Sequence, residues 1–442
     1  DAQESRGLGD VYKRQLFMVQ SVFAYDNKDL NIGFFNRFND DCLTYYIKTA
    51  LENNHDLKKA GYVVEQYRQQ AKYSLGNELP SFSVSANYLG IKIPKLDNFQ
   101  LKQNAFILPF MANYEADLLL KNRDKTRSAK KSYEASKFEE KTVYIALLTD
   151  VATVYTNILQ YDELIEIQNQ KVDIYFQMLK RDVKKFDRGV IDSSQLNRSK
   201  QNYETSKNDL EKLLKERDTL LLQLAVLAGC SPEGVDGLNR GDLLSFEYKG
   251  VIPSQVDSDV IFARPDVMAA ETKLEKAKID VRVARKEFLP TFNITGLWVF
   301  NTIAPGSFFS WESSLAALLA GASQDIFAGG KKVANLRMQK AKYQELFEEY
   351  RQTDLEAVKE VNTSLCFVKH DTAIDANTKN KLQYEINNFN NIQKKYNRGV
   401  VSYPDYLDAQ LKLLSQEKEA AQTKTQRLVN YFTLYKAVGG KL

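Results

Sequence analysis

Two carboxylates, Asp405 and Asp408, have the types and spacing that could most readily do chemistry in this sequence. Side chains three residues apart lie on one face of an α-helix, so a helix through this segment presents both carboxylates together. Such a pair could serve as the acid and base of a glycosidase, or could attract cations. On the segment alone, the simpler interpretation is that Asp405 caps the helix and Asp408 is a solvated surface charge.

The sequence contains few residues that could carry out other catalytic or metal-binding chemistry. The only histidines are His55 and His370, and three widely separated cysteines, Cys42, Cys230 and Cys366, fit neither a zinc site nor a disulfide framework. No glycine-rich phosphate loop is found. The sequence therefore predicts no enzyme, with no catalytic residue, metal or cofactor. A balance of 61 Lys+Arg against 57 Asp+Glu, a net charge of +4, does not favour a nucleic-acid partner.

The two carboxylates directly follow a helix-stop and helix-start signal. Gly399 can adopt the left-handed conformation that ends a helix, and Ser402 has the capping-box spacing with Asp405. A second copy of the signal has Gly189 followed by the N-cap candidate Asp192. Subtracting 189 from 399 gives a separation of 210 residues. The sequence thus predicts two helix tips, at 186–194 and 396–405.

Long tracts without proline, 110–231 and 306–403, lead into the two tips. Apolar residues recur in them at three- and four-residue steps, which indicates amphipathic helices. Between about 124 and 228 the only glycine is Gly189, and between 331 and 438 it is Gly399. Each tip therefore joins two long helices in an antiparallel helical hairpin. Because we find no run of about 18 apolar residues, we expect no membrane-spanning helix.

Two strands are expected before each hairpin. Apolar residues from Phe82 to Tyr88 alternate with polar ones, and Leu79-Pro80-Ser81-Phe82 is matched 210 residues later by Leu289-Pro290-Thr291-Phe292. Strands are predicted at 80–90, 105–116, 289–300 and 308–324, with loops at 90–104 and 301–307. An apolar face favours a transmembrane β-barrel, but four strands cannot close one, so two or three chains must associate. The alternative is a soluble protein whose two β-hairpins pack on helices.

These patterns divide the chain into two structural repeats, 41–228 and 263–436. An equatorial linker, 229–262, joins the repeats, and a C-terminal tail spans 437–442. An N-terminal segment covers 25–40. Within residues 1–24, Leu16–Ala24 resembles the end of a secretory signal peptide, and the residues before it have the abrupt composition of an assembly scar.

Several motifs, in this order and duplicated, resemble the TolC-like outer-membrane efflux proteins, including their OprM-like and NodT-like branch. The motifs are Arg264-Pro265-Asp266-Val267, Phe288-Leu289-Pro290-Thr291-Phe292, Asp325-Ile326-Phe327-Ala328-Gly329-Gly330 and the two Arg-Gly-Val tips. The resemblance extends from about Cys42 to the C-terminus. It implies a mainly α fold with a transmembrane β part. Three chains would combine four strands each into a twelve-stranded β-barrel, and the duplicated hairpins would form an α-barrel across the periplasm.

The resemblance also implies a function for the tips. They would form the closed periplasmic entrance of a passive exit duct in a tripartite system, opened by an inner-membrane transporter and its periplasmic adaptor. The family's gate residues fall on Tyr396, Asp405, Asp408 and Ser194. Its basic residue two positions after the second tip glycine is Val401 here. The tip residues expected to contact the adaptor are Arg188, Gly189, Val190, Arg398, Gly399, Val400 and Ser402.

Two other functions remain open from the sequence. The same architecture serves protein export in one-step secretion systems. A protein of a different class, a non-conducting periplasmic coiled-coil adaptor, would also carry long helical hairpins. The expected partners of the channel are two further copies of the chain, outer-membrane lipid, the adaptor and the transporter.

Overall fold

The computed structural model describes residues 33–96, 99–232, 239–302 and 311–442. The predicted signal peptide, the first part of the segment 25–40 and part of the linker 229–262 lie outside the described residues. The chain divides into two compact units. The first takes the chain up to Gly61, Glu140–Pro265 and Asp354–Leu442, and the second takes Tyr62–Glu139 and Asp266–Thr353. Each unit therefore draws on both sequence repeats.

Most of the described chain is α-helical. The first half contains α1 (Gly33–Asn36), α2 (Asp41–Asn53), α3 (His55–Gly76), α4 (Lys121–Asp187) and α5 (Ser193–Leu227). The second half contains α6 (Ser258–Phe262), α7 (Pro265–Lys286), α8 (Lys331–Asn397) and α9 (Tyr403–Ala437). The helices α7, α8 and α9 begin at residues 265, 331 and 403, which is 210 after α3, α4 and α5 at 55, 121 and 193. The repeat seen in short motifs is thus a repeat of whole helices.

One antiparallel sheet lies in the second unit. Its strands are β1 (Ser81–Val84), β2 (Asn87–Leu96), β3 (Phe99–Ala116), β4 (Thr291–Thr302) and β5 (Ser314–Ser323). The order is β1-β3-β4-β5, and β2 also pairs with β3. Because β1 and β2 pair with successive parts of β3, they behave as one strand interrupted at residues 85–86. The described residues thus form four strand positions, and among them β5 and the β1/β2 pair are left as open edges.

The loop predicted at 90–104 is wrong, because β2 and β3 occupy most of it. Pro94 lies within β2, where proline is tolerated because β2 is at the edge of the sheet. The strand predicted at 308–324 is shorter in the structure. It is preceded by a 3₁₀ turn, Trp311–Ser313, and begins at Ser314.

The two faces of the sheet differ in chemistry. In one row of paired residues, Phe82, Ala112, Gly296 and Leu318 lie on the same face. The next position along the strands places Ser81, Asn113, Thr295 and Leu319 on the opposite face. The first face continues with large apolar side chains that are exposed in this chain, among them Val84, Phe110, Trp298 and Ile294. An uncovered apolar face of this kind requires lipid or another protein surface.

One helix contradicts the expectation that no helix could span a membrane. The helix Lys121–Asp187 contains an 18-residue window with a mean hydropathy of 1.3, apolar enough by length and composition to cross a bilayer. However, 67% of that window is buried inside the protein. Its side chains include Leu148, Val151 and Ile158, all fully buried in the first unit. The window is therefore accounted for as a core helix.

Aromatic side chains from distant parts of the sequence form the core at one end of α9. Phe34 of α1 stacks on Tyr435 with ring centroids 4.8 Å apart, and Phe38 stacks on Phe246 at 5.3 Å. Phe35 stacks on Phe432 at 6.0 Å. All three N-terminal phenylalanines are essentially inaccessible to solvent. Residues 34–38 and the linker around Phe246 are thus integral to the first unit.

A network of five charged side chains fastens the linker to α8 and α9. The Glu247 carboxylate forms ion pairs with Arg427 Nη2 at 3.0 Å and with Lys424 Nζ at 3.4 Å. Arg427 Nε also lies 3.1 Å from Asp375 Oδ2, and Lys379 approaches both acids. Arg427 and Asp375 are largely withdrawn from water, with side chains only 11% and 6% exposed. We name these residues the linker network.

The linker network predicts an acid-sensitive contribution to stability. Burial tends to raise the pKa of Glu247, but the hydrogen bond and charge of Arg427, with the charges of Lys424 and Lys379, lower it overall from 4.5. A carboxylate with a lowered folded-state pKa stabilises the protein above its unfolded pKa and loses that contribution as the pH falls through the folded value. We expect Glu247→Gln to lower the unfolding temperature at pH 7, and the difference from the unsubstituted protein to shrink below about pH 4.5.

Thermal unfolding followed by circular dichroism across pH 3–8 measures this difference. Glu211→Gln, at an exposed acid of α5, is the control and should show no such trend. A Glu247→Gln deficit that stays constant into acid would contradict the assigned role of its charge.

Candidate functional site

Both helix tips end in the same hydrogen-bonded turn. Gly189 and Gly399 have φ values of 70° and 74°, in the left-handed region predicted from the sequence. Gly189 N donates to Phe186 O at 2.8 Å and Val190 N donates to Lys185 O at 2.9 Å. The second tip repeats both bonds with the same lengths, from Gly399 and Val400. This pair of bonds is the Schellman motif, which satisfies the last carbonyl groups of a helix.

The helices that follow the two tips begin with the N-caps that the sequence predicts. The Asp192 carboxylate accepts a hydrogen bond from Gln195 N at 2.8 Å. In the second tip, Ser402 Oγ accepts from Asp405 N at 3.4 Å and donates to Asp405 Oδ2 at 2.5 Å. Asp405 therefore takes part in the cap and keeps its carboxylate exposed at the start of α9.

The residues expected to contact an adaptor are exposed at the two tips. The aliphatic side chains are the most prominent, since Val190 is 67% and Val400 72% exposed. Within the described part of the chain, neither Arg188 nor Arg398 forms an ion pair, which leaves both guanidinium groups available on the surface. The full exposed set is Arg188, Gly189, Val190, Arg398, Gly399, Val400 and Ser402.

Three tyrosines join the two helices of the second hairpin. The ring of Tyr396, at the end of α8, stacks on Tyr406 with centroids 4.8 Å apart and planes 18° apart. Tyr403 lies 5.7 Å from Tyr396 and 6.3 Å from Tyr406. We name Tyr396, Tyr403 and Tyr406 the tyrosine cluster. The predicted gate residue Tyr396 is therefore held by α9 of its own chain.

The second hairpin packs on the first through α9 and α4. Ile167 and Ile174 of α4 meet Leu407 and Leu414 of α9 in one buried cluster. Both pairs are seven residues apart, the heptad spacing that keeps two helices in continuous contact. Tyr403 and Tyr406 pack against this cluster. The tyrosine cluster thus rests on the contact between the two hairpins.

Only some of the four predicted gate residues lie near one another within a single chain. Asp408 lies exposed beside α4, where its negative charge adds to burial in raising the pKa of Tyr175. Asp405 lies one turn earlier on the same helix. Ser194 is exposed at the start of α5, and among the described residues no hydrogen bond joins it to Tyr396, Asp405 or Asp408. Within one chain, the two carboxylates and Tyr396 share the second tip, whereas Ser194 stays on the first.

Sequence reasoning missed two residues at this site. The first is Tyr403, which directly follows the N-cap Ser402. Its partner in the structure is Gln177, whose side-chain oxygen accepts a hydrogen bond from Tyr403 Oη. The close spacing of three tyrosines from 396 to 406 could have indicated a cluster, but nothing in the sequence marks Gln177.

Two long helical hairpins, combined with an open antiparallel sheet that exposes an apolar face, define a channel-forming protein of the TolC-like outer-membrane class. A family profile described as outer membrane efflux protein matches residues 46–230 and 258–440. The chain belongs to this outer membrane efflux protein family, and it is an outer-membrane efflux channel. The predicted mainly α fold with a β part, the function and the location are thereby confirmed.

Relatives and solved structures match nearly the whole chain. The cation efflux system protein CusC of Escherichia coli O157:H7 is 25% identical over 446 residues, which cover 98% of this chain and 95% of CusC. The solvent efflux pump outer membrane protein SrpC of Pseudomonas putida is 26% identical, covering 91% of this chain and 86% of SrpC. The CmeC outer membrane channel of Campylobacter jejuni superposes with a TM-score of 0.86 at 23% identity, covering 95% of this chain and 91% of CmeC.

Proposed function

We propose that three copies of this chain assemble into the exit duct of a tripartite efflux system. The observation that carries this proposal is the open sheet, whose edges at β5 and at β1/β2 are unpaired within the described chain. Open edges beside an apolar face favour pairing with further copies. Four strand positions from each of three chains give twelve, and in a closed barrel every backbone group at the edges would be paired.

The duplicated hairpins of the three copies would form the α-barrel that continues the duct through the periplasm. The duct is a passive channel and moves no substrate by itself. The driving force for transport would come from an inner-membrane transporter. A periplasmic adaptor would dock on the exposed tips. Each tip exposes an arginine and, two residues later, a valine: Arg188 and Val190 at the first tip, Arg398 and Val400 at the second. This repetition supports contact of the adaptor with both tips in the same way.

The second tip would be the constriction of the closed duct. Around a threefold axis, three copies each of Asp405 and Asp408 would place six carboxylates near one narrow opening, and such a ring attracts cations. Tyr396 would stabilise the constriction by stacking on Tyr406 within the tyrosine cluster. Ser194 would contribute a hydroxyl from the first hairpin.

The nature of the relatives favours small solutes over proteins as cargo. CusC is named for cation efflux and SrpC for solvent efflux. One-step protein secretion remains the alternative use of the same duct. The coiled-coil adaptor function considered from the sequence is not supported, because the family to which the chain belongs forms the outer-membrane channel.

Planar-bilayer recording of the purified, detergent-extracted protein tests the constriction. We expect a trimer of low conductance that multivalent cations such as hexamminecobalt block from the tip side. The double variant Asp405→Asn with Asp408→Asn removes the charge that holds the blocking ion, so about tenfold more cation should be needed for half-block. Tyr396→Ala should raise the conductance, because it removes the stacking partner of Tyr406.

Asp173→Asn is the matched control, since Asp173 is an exposed aspartate on α4. It should leave the cation block unchanged. If the cation blocked the double variant and the unsubstituted protein equally, Asp405 and Asp408 would not be part of the constriction. A water-soluble monomer would contradict the trimeric duct itself.

A further inference from the structure

The two hairpins of one chain are joined near their tips by a polar contact that the local sequence does not indicate. Val401, two residues after the second tip glycine, has an aliphatic side chain and can neither donate nor accept a side-chain hydrogen bond. Arg188 and Arg398 form no ion pair within the described residues. Among the residues that the structure describes, no ion pair therefore joins the second tip to the first.

A neutral hydrogen bond does join them. Tyr403 Oη, in the first turn of α9, donates to Gln177 Oε1 of α4. The next polar contact between these two helices, from Lys171 Nζ to Ser415 Oγ at 3.3 Å, lies about three turns further along α9. The Tyr403–Gln177 bond is thus the polar contact between α4 and α9 that lies nearest to the tips.

The ring of Tyr403 is held in place by its neighbours. It lies 5.7 Å from the ring of Tyr396 and 6.3 Å from that of Tyr406, and it packs against the buried α4–α9 cluster that contains Ile174. A tyrosine side chain has only two rotatable bonds before its ring. Contacts on the ring therefore fix where the hydroxyl group points, and little conformational freedom is lost when the bond forms.

We propose that Tyr403 and Gln177 form an uncharged latch that holds the second hairpin on the first in the closed state of the duct. This inference rests on the proposed role of the tips as the gate. Opening the tips by moving α9 away from α4 breaks the latch in each of the three chains. A latch made of a hydroxyl and an amide is not screened by salt, whereas a latch made of an ion pair weakens as ionic strength rises.

Planar-bilayer recording of full-length trimers tests the latch with Tyr403→Phe, which keeps the ring and removes only the hydroxyl group. We expect the open probability to rise roughly fivefold for each bond released, and more when the three chains open together. Gln177→Ala should give a similar rise and, since Gln177 is exposed, should leave folding intact. The double variant should exceed the larger single effect by little, because both substitutions remove the same bond.

Ionic strength separates this latch from an ion-pair lock. The ratio of open probability between Tyr403→Phe and the unsubstituted protein should stay constant from 0.1 to 1 M KCl. Tyr384→Phe, which removes a hydroxyl from a tyrosine of α8 that is 68% exposed, is the matched control and should behave as the unsubstituted protein. A ratio that falls steeply with salt would overturn the uncharged latch.

The outcomes also separate the latch from the gate. If Tyr403→Phe and Gln177→Ala leave the open probability unchanged while Asp405→Asn with Asp408→Asn relieves cation block, the latch is wrong and the gate stands. If none of these variants alters conductance or block, the gate itself is wrong. A lowered unfolding temperature in Tyr403→Phe without any change in open probability would show a purely structural bond and overturn the latch.

Discussion

Replacing Leu318 with arginine is expected to prevent insertion of the protein into the outer membrane, whereas the same replacement at the neighbouring Leu319 should be tolerated. Leu318 lies in the row of Phe82, Ala112 and Gly296 on the apolar face and is 79% exposed in the single chain. An arginine on the lipid-facing side of a transmembrane barrel costs about 2–4 kcal/mol near the bilayer midplane. In a trimer this cost is incurred three times.

Leu319 provides a closely matched control for that substitution. It is the next residue of β5, it is 71% exposed, and it pairs with Thr295 on the opposite, more polar face. In a barrel this face lines the interior, where a charged side chain can remain hydrated. The amount of each variant recovered in the outer-membrane fraction, relative to the unsubstituted protein, measures this difference. Equal loss in the two variants would contradict the assignment of the faces.

Arg427→Met is expected to destabilise the first unit by about 3–5 kcal/mol, the range observed when one partner of a buried ion pair is removed. The substitution keeps much of the side-chain volume but leaves Asp375, with a side chain only 6% exposed, beside Lys379 alone. It also removes the 3.0 Å contact with Glu247, which then keeps Lys424 as its charged partner on α9. The unfolding temperature and the urea midpoint should both fall.

Lys412→Met is the control for Arg427→Met. Lys412 lies exposed on the same helix, α9, and takes part in no ion pair within the described residues. A surface substitution of this kind is usually within about 0.5 kcal/mol of neutral. If Arg427→Met were no more destabilising than this control, the linker network would be a surface feature rather than a fastening for the linker.

The sequence could predict the hairpins and their tips because the responsible interactions are local. At the end of α8, Gly399 N donates to a carbonyl three positions earlier and Val400 N to one five positions earlier, and Ser402 caps α9 through a residue three positions later. Alternating residues such as Phe82 and Val84 likewise revealed a strand. The extent of β2 was missed, because Pro94 is permitted only by the position of that strand at the edge, which depends on the rest of the sheet.

Tertiary structure alone decided which distant residues meet. Glu247 and Arg427 are 180 residues apart, Phe34 and Tyr435 are brought together from opposite ends of the chain, and Gln177 meets Tyr403 from another hairpin. None of these residues differs in type or spacing from an ordinary surface or core residue of a long helix or loop. Helical periodicity specifies which face of a helix is buried, but the relative register of two packed helices determines which side chains on those faces come into contact.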